Sequence, residues 1–108
     1  MRLFRQIAAS HGEGVSHGVK LVINKNDSLI SVLLNGQTIK PNKTYRIATL
    51  DYLAQGNDHL SEFKSSFNVV TPDGVSNNVR MLISSYFQEL LSKGICVDSK
   101  VEGRILVK

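Results

Sequence analysis

With 108 residues, 42% of them hydrophobic, the chain is long enough to bury one core and too short for two, and nothing in its composition marks disorder. Its net charge of +4 comes from scattered lysines and arginines, with no basic tract and no aromatics interleaved among them, which argues against a nucleic-acid partner. No apolar run reaches the roughly 18 residues of a membrane span, so no membrane partner is expected. Met1-Arg2-Leu3-Phe4-Arg5 leads into no apolar h-region, so this stretch is not expected to be a signal peptide.

Leu3, Phe4, Ile7 and Ala8 fall at helical spacing and predict a short helix over 2–9. Residues 10–17, with Gly12 and Gly14, read as a loop. Residues 19–23 and 29–34 are rich in β-branched and aliphatic side chains, and Asn26-Asp27 turns the chain between them, so the pair reads as a hairpin. Asn35-Gly36 is a two-residue type I′ turn signal, because both central positions of that turn need positive φ. Residues 37–39 then pair back briefly, and Pro41-Asn42 marks another turn. Residues 45–50 read as the central strand. They lead into one helical turn over 51–54 and another over 58–63, and 67–71 reads as a further strand.

The clearest helix spans about 78–93. Val79, Leu82, Ile83, Tyr86, Phe87, Leu90 and Leu91 lie on one stripe, Ser76 or Asn77 can cap its start, and Gly94 suits the left-handed position past its end. Tyr86 and Phe87 are core aromatics on this pattern. Cys96, flanked by Ile95 and Val97, reads as a buried thiol, and residues 104–107 close the chain as a strand. The sum is an α+β fold in a single domain, 1–108: a mostly antiparallel sheet with one long amphipathic helix packed on it.

Catalytic equipment is absent from the pattern. His11, His17 and His59 form no DxH or HExxH arrangement, and two loop histidines without a third ligand make no metal site. Cys96 has no histidine nearby in sequence, and Gly12-Glu13-Gly14 sits in no phosphate-loop frame. No catalytic residue, no metal ligand and no cofactor is expected on this chain.

Binding is better supported. In Tyr45-Arg46-Ile47-Ala48-Thr49-Leu50-Asp51-Tyr52-Leu53-Ala54-Gln55-Gly56-Asn57-Asp58, one ring and one carboxylate sit at fixed separation beside a tight, glycine-bearing loop. A ring can stack on a flat base, and a carboxylate can accept two hydroxyl hydrogen bonds, so the pair suits a nucleoside. The competing structural roles are a core aromatic for Tyr52 and an N-cap of the following turn for Asp58.

This block resembles the signature of the C-terminal, substrate-binding domain of the 5'-nucleotidase / UDP-sugar hydrolase family, approximately Y-x-v-A-t-x-d-[YF]-[LI]-A-x-G-G-D-G-[YF]. The lead-in with Gly36 and Pro41 is similar as well, as are the loop Gly12-Glu13 to Gly18-Val19 and the closing Val101-Glu102-Gly103-Arg104-Ile105. The resemblance implies an α/β/β/α layering. It implies a substrate-binding set of Tyr52, Gly56, Asn57 and Asp58, in which Tyr52 stacks on the base and Asp58 bonds the ribose. It also implies that hydrolysis is carried out by a separate metallophosphatase domain holding two divalent metals, upstream or in trans.

Members of the family are mostly periplasmic or at the cell surface, and the compartment of this chain stays open. The family domain extends further at its N-terminus, where arginines hold the phosphate, so this chain reads as an N-terminally truncated, partial copy. Asn57 and His59 replace the glycines flanking the acid, and Leu60 replaces the aromatic after them. The second, sandwiching aromatic would fall at Gly14 or Val15. Two alternatives stand beside nucleotide binding. One is a structural remnant that has lost its ligand and self-associates into a dimer or larger species. The other is a basic nucleic-acid-binding module.

Overall fold

The spacing of Leu3, Phe4, Ile7 and Ala8 builds helix α1 (Arg2–Ala9), which buries Ile7 and Ala8. The computed structural model describes residues 1–108, which form two compact units: 1–67 with 102–108, and 68–101.

The first unit is built on a four-stranded sheet. Strand β1 (Val19–Ile23) alternates buried Val19, Leu21 and Ile23 with an exposed Lys20, the period-2 pattern of a strand with one face on a core. It pairs antiparallel with β2 (Leu29–Leu34), Leu21 opposite Val32. The connecting turn is closed by Asn24, whose Oδ1 accepts from the amides of Asn26 and Ser28, both at 2.9 Å. Asn35 at φ 51° and Gly36 at φ 77° make the primed turn that the dipeptide predicts, and β3 (Gln37–Thr38) returns antiparallel along β2. β4 (Ile105–Val107) adds to the other edge, parallel to β1, so the order is β3-β2-β1-β4. The core of this unit is Ile7, Val19, Leu21, Val32 and Leu60, with Phe4, Val15, Leu53, Phe63 and Ile105 packed around it. A mixed α+β domain with a four-stranded sheet is the architecture that results.

Two expected strands do not form. Residues 45–50 make no strand. The sheet ends at the two-residue β3, no other segment offers its main chain to 45–49, and Ile47 and Leu50 are exposed. A β-favourable run without a partner has no ladder to join. Residues 67–71 are broken by Asn68, whose φ of 52° is left-handed and incompatible with a continuous pleat. The turn expected over 58–63 starts later, as a 3₁₀ helix at Ser61–Ser65, while the helical turn at 51–54 forms as α2 (Asp51–Ala54).

In the second unit, a 3₁₀ turn (Val75–Asn77) precedes α3 (Val79–Ser92). The cap of α3 is Asn78 and not Ser76 or Asn77. The 3₁₀ turn consumes residues 75–77, so Asn78 is the extended residue before the helix, and its Oδ1 accepts from the Arg80 amide at 2.9 Å. Gly94, at φ 66°, ends the helix as expected: its amide donates to Leu91 and that of Ile95 to Leu90. Glu89 and Lys93 form an i, i+4 pair. No side chain of α3 is buried, so Tyr86 and Phe87, with ring centroids 6.1 Å apart, are exposed aromatics and not core ones. Cys96 is likewise exposed, because its apolar neighbours Ile95 and Val97 are themselves uncovered. No helix is long and apolar enough to cross a membrane.

Candidate functional site

The predicted ring and acid come together on one loop of the first unit. α2 starts where the Asp51 carboxylate accepts from the Tyr52 amide at 2.8 Å, a local bond that favours a helical start. The helix lasts one turn. Gly56, at φ 82°, reverses the chain, and its amide donates to Leu53 at 2.8 Å. A side chain at 56 would be strained by that φ and would meet Cα of Ser61 at 3.2 Å, which is why the loop requires glycine there. Asn57 closes the loop by donating from Nδ2 to the Tyr52 carbonyl at 2.8 Å. Asp58 and His59 then follow in left-handed conformations, φ 52° and 64°. Leu60, only 2% exposed, plugs the end of the loop into the core, and Leu53 packs on the same cluster from the other end.

Between these two anchors the Tyr52 hydroxyl donates to Asp58 Oδ1 at 3.2 Å. The ring is 52% exposed, so Tyr52 is no core aromatic. The negative charge of Asp58, then its hydrogen bond, raise the Tyr52 pKa above the ordinary tyrosine value. Asp58 is also no N-cap: the residue before the 3₁₀ turn is Leu60, and no side chain caps that turn. Oδ2 of Asp58 makes no hydrogen bond within the protein, so the carboxylate keeps acceptor capacity beyond its bond to Tyr52.

Support for this loop comes from residues that local sequence pattern does not single out. Gln6 on α1 donates from Nε2 to Ser61 Oγ at 2.8 Å and accepts at Oε1 from the Glu62 amide at 2.9 Å. Arg2 adds an ion pair to Glu62 at 3.1 Å. Gln6 and Ser61 lie 55 residues apart in sequence, so no spacing rule could join them. For Leu60 a signal existed, an apolar residue next to polar neighbours, but it does not tell a core plug from an exposed loop leucine.

The glycine-bearing loop at 10–17 is held by the residues that lead into β4. Arg104 donates to the Val15 carbonyl at 2.7 Å and to Glu102 Oε2 at 2.7 Å, and His17 Nδ1 lies 3.2 Å from that same oxygen. The hydrogen bonds from Arg104, and secondly His17, hold the Glu102 carboxyl below the usual carboxylate range. His11 pairs with Asp27 at 2.9 Å. The two histidines of this loop therefore serve separate carboxylates, and no group of three or more His, Cys, Asp or Glu side chains is placed to hold a metal ion. Gly14, one of the two places for a second aromatic, faces open space: a side chain there meets nothing within 4 Å.

An exposed ring hydrogen-bonded to a carboxylate thus stands on a loop anchored by Leu53 and Leu60 in the core of the first unit. A family model of the 5'-nucleotidase C-terminal domain matches residues 6–65, more than half of the chain and the whole of this loop. The chain belongs to that family, whose C-terminal domain is its substrate-binding domain. No curated protein and no solved structure matches it.

Proposed function

We propose that the chain binds a nucleoside or nucleotide, the base stacking on Tyr52 and the ribose diol bonding to Asp58, with Gly56 and Asn57 setting the loop. The observation that carries this reading is the Tyr52–Asp58 hydrogen bond at 3.2 Å, which keeps a half-exposed ring and an acid side by side in a member of a substrate-binding family. Stacking on one ring contributes ~1–3 kcal/mol and two hydrogen bonds about 1 kcal/mol each. Affinity then falls in the roughly millimolar to high-micromolar range. Hydrolysis belongs to a metallophosphatase domain, upstream or in trans, which carries the divalent metals. Residues 1–108 act as one partial domain of that family.

The test is an NMR titration of the labelled protein with adenosine, AMP and a UDP-sugar. Saturable shifts on residues 52–60 that vanish in Tyr52→Ala support the reading, and equal binding by variant and wild type removes it.

The exposure of Leu82, Ile83, Tyr86, Phe87 and Leu91 on α3 favours a second reading, a ligand-free domain that self-associates. Light scattering that stays monomeric at high concentration, together with nucleoside binding, eliminates it.

A further inference from the structure

Beside the β2–β3 turn lies a concavity of about 260 Å³, lined among others by Asn35, Gln37, Thr38, Lys40, Lys43 and Tyr45. It shares no residue with the Tyr52–Asp58 loop. Two lysines line it and no acidic residue does, and neither Lys40 nor Lys43 has a carboxylate within 4.0 Å. The positive charge in this hollow is uncompensated, whereas Lys93 and Lys100 are each paired with an acid.

The walls are already set. On one side the turn is fixed by the left-handed Asn35 and Gly36 and by the Asn35 amide donating to the Gly18 carbonyl at 2.8 Å. On the other, the Lys43 amide donates to the Lys40 carbonyl at 3.2 Å, and the Lys40 amide donates to the Tyr45 hydroxyl oxygen at 3.0 Å. Tyr45 thus uses an acceptor site and keeps its own proton free to donate. The Lys43 ammonium stands over the Tyr45 ring, 5.6 Å from its centroid, which restrains that side chain beside the hollow. Asn35, Gln37 and Thr38 line the same hollow and carry neutral side chains that can donate.

We propose that this concavity binds a small phosphoryl oxyanion. Two point charges with surrounding neutral donors suit a compact, multiply charged group with several acceptor oxygens. The volume, just under the roughly 300–1,000 Å³ of pockets that take drug-sized ligands, favours a group of phosphate or diphosphate size over an extended polymer. The assignment does not depend on nucleoside binding at Tyr52.

The probe is inorganic pyrophosphate, titrated into the labelled full chain at constant ionic strength. Saturable shifts confined to residues 35–45 are expected. The double variant Lys40→Ala/Lys43→Ala should weaken binding at least tenfold, while Lys25→Ala and Tyr52→Ala should leave it unchanged. All these side chains are exposed, and amide spectra of the variants check that the fold persists. Non-saturating shifts at lysines across the whole chain overturn the assignment, as does unchanged affinity in the double variant. It is equally overturned if an oligonucleotide binds with a steep salt dependence while pyrophosphate gives no shifts.

Discussion

The Tyr52 hydroxyl donates to Oδ1 of Asp58 at 3.2 Å, across a loop whose two ends are anchored by Leu53 and Leu60 in the same apolar cluster. The bond makes the ring and the acid one unit. It orients the ring without burying it, and it occupies one carboxylate oxygen while the other makes no bond within the protein.

That coupling predicts a pH signature. The folded pKa of Tyr52 is raised, chiefly by the charge of Asp58. The stabilisation from this contact is therefore complete below the ordinary tyrosine value of about 10 and is lost as pH rises through the higher folded value. Tyrosinate absorbance should show one of the three tyrosines ionising late, and Asp58→Asn should return it toward the ordinary range. Late ionisation that persists in Asp58→Asn would contradict the coupling.

Ligand affinity should divide between the two side chains. Tyr52→Ala should weaken adenosine binding by about tenfold or more, the stacking contribution of one ring. Tyr52→Phe should keep most of it. Asp58→Ala should erase the preference for adenosine over its dideoxy analogue, as read by NMR titration or calorimetry. Retained discrimination in Asp58→Ala would place the ribose elsewhere.

Leu60 is a core residue at the base of the loop, 2% exposed. Leu60→Ala should cost about 2–5 kcal/mol of unfolding free energy and loosen Asn57 and Asp58. Denaturant melts and amide exchange of the loop measure both effects. A loss well under 1 kcal/mol would mean that the loop is not anchored there.

His59 holds a left-handed φ of 64° where the family pattern has glycine. A β-branched side chain tolerates that conformation least, so His59→Val should destabilise by about 1–2 kcal/mol. His59→Gly relieves the strain but loosens the unfolded chain, and the two effects nearly cancel to within about 1 kcal/mol. Thermal melts of the pair should separate in that order, valine below glycine.

Glu102 ties the 10–17 loop to the closing strand. Its folded pKa is lowered, by Arg104 first and His17 second. Its contribution is therefore present above the ordinary glutamate value of about 4.3 and is lost as pH falls through the lower folded value. The exchange protection of the Val19 amide, which donates to the Ser16 carbonyl of that loop at 3.1 Å, should fall on acidification through that window, and Glu102→Gln should abolish the dependence. Flat protection in the wild type would show that the tie does not hold the loop.

Sequence by itself determined the elements whose causes are local. The 2–9 helix follows from its apolar spacing, the β1–β2 hairpin from β-branched runs around a turn, the second turn from Asn35-Gly36, and the end of α3 from Gly94. It also determined which ring and which acid share a loop, because Tyr52 and Asp58 are six residues apart. Tertiary structure alone decided the rest. Residues 45–50 have strand chemistry but no neighbouring strand, and 67–71 is interrupted by the left-handed Asn68. Gln6 reaches Ser61, Leu60 enters the core, and Cys96 stays exposed through partners, or a lack of them, far along the chain. Helix spacing, turn chemistry and caps act over a few residues and leave a mark at each position. Pairing and burial depend on which distant segments meet, and a single position carries no mark of that.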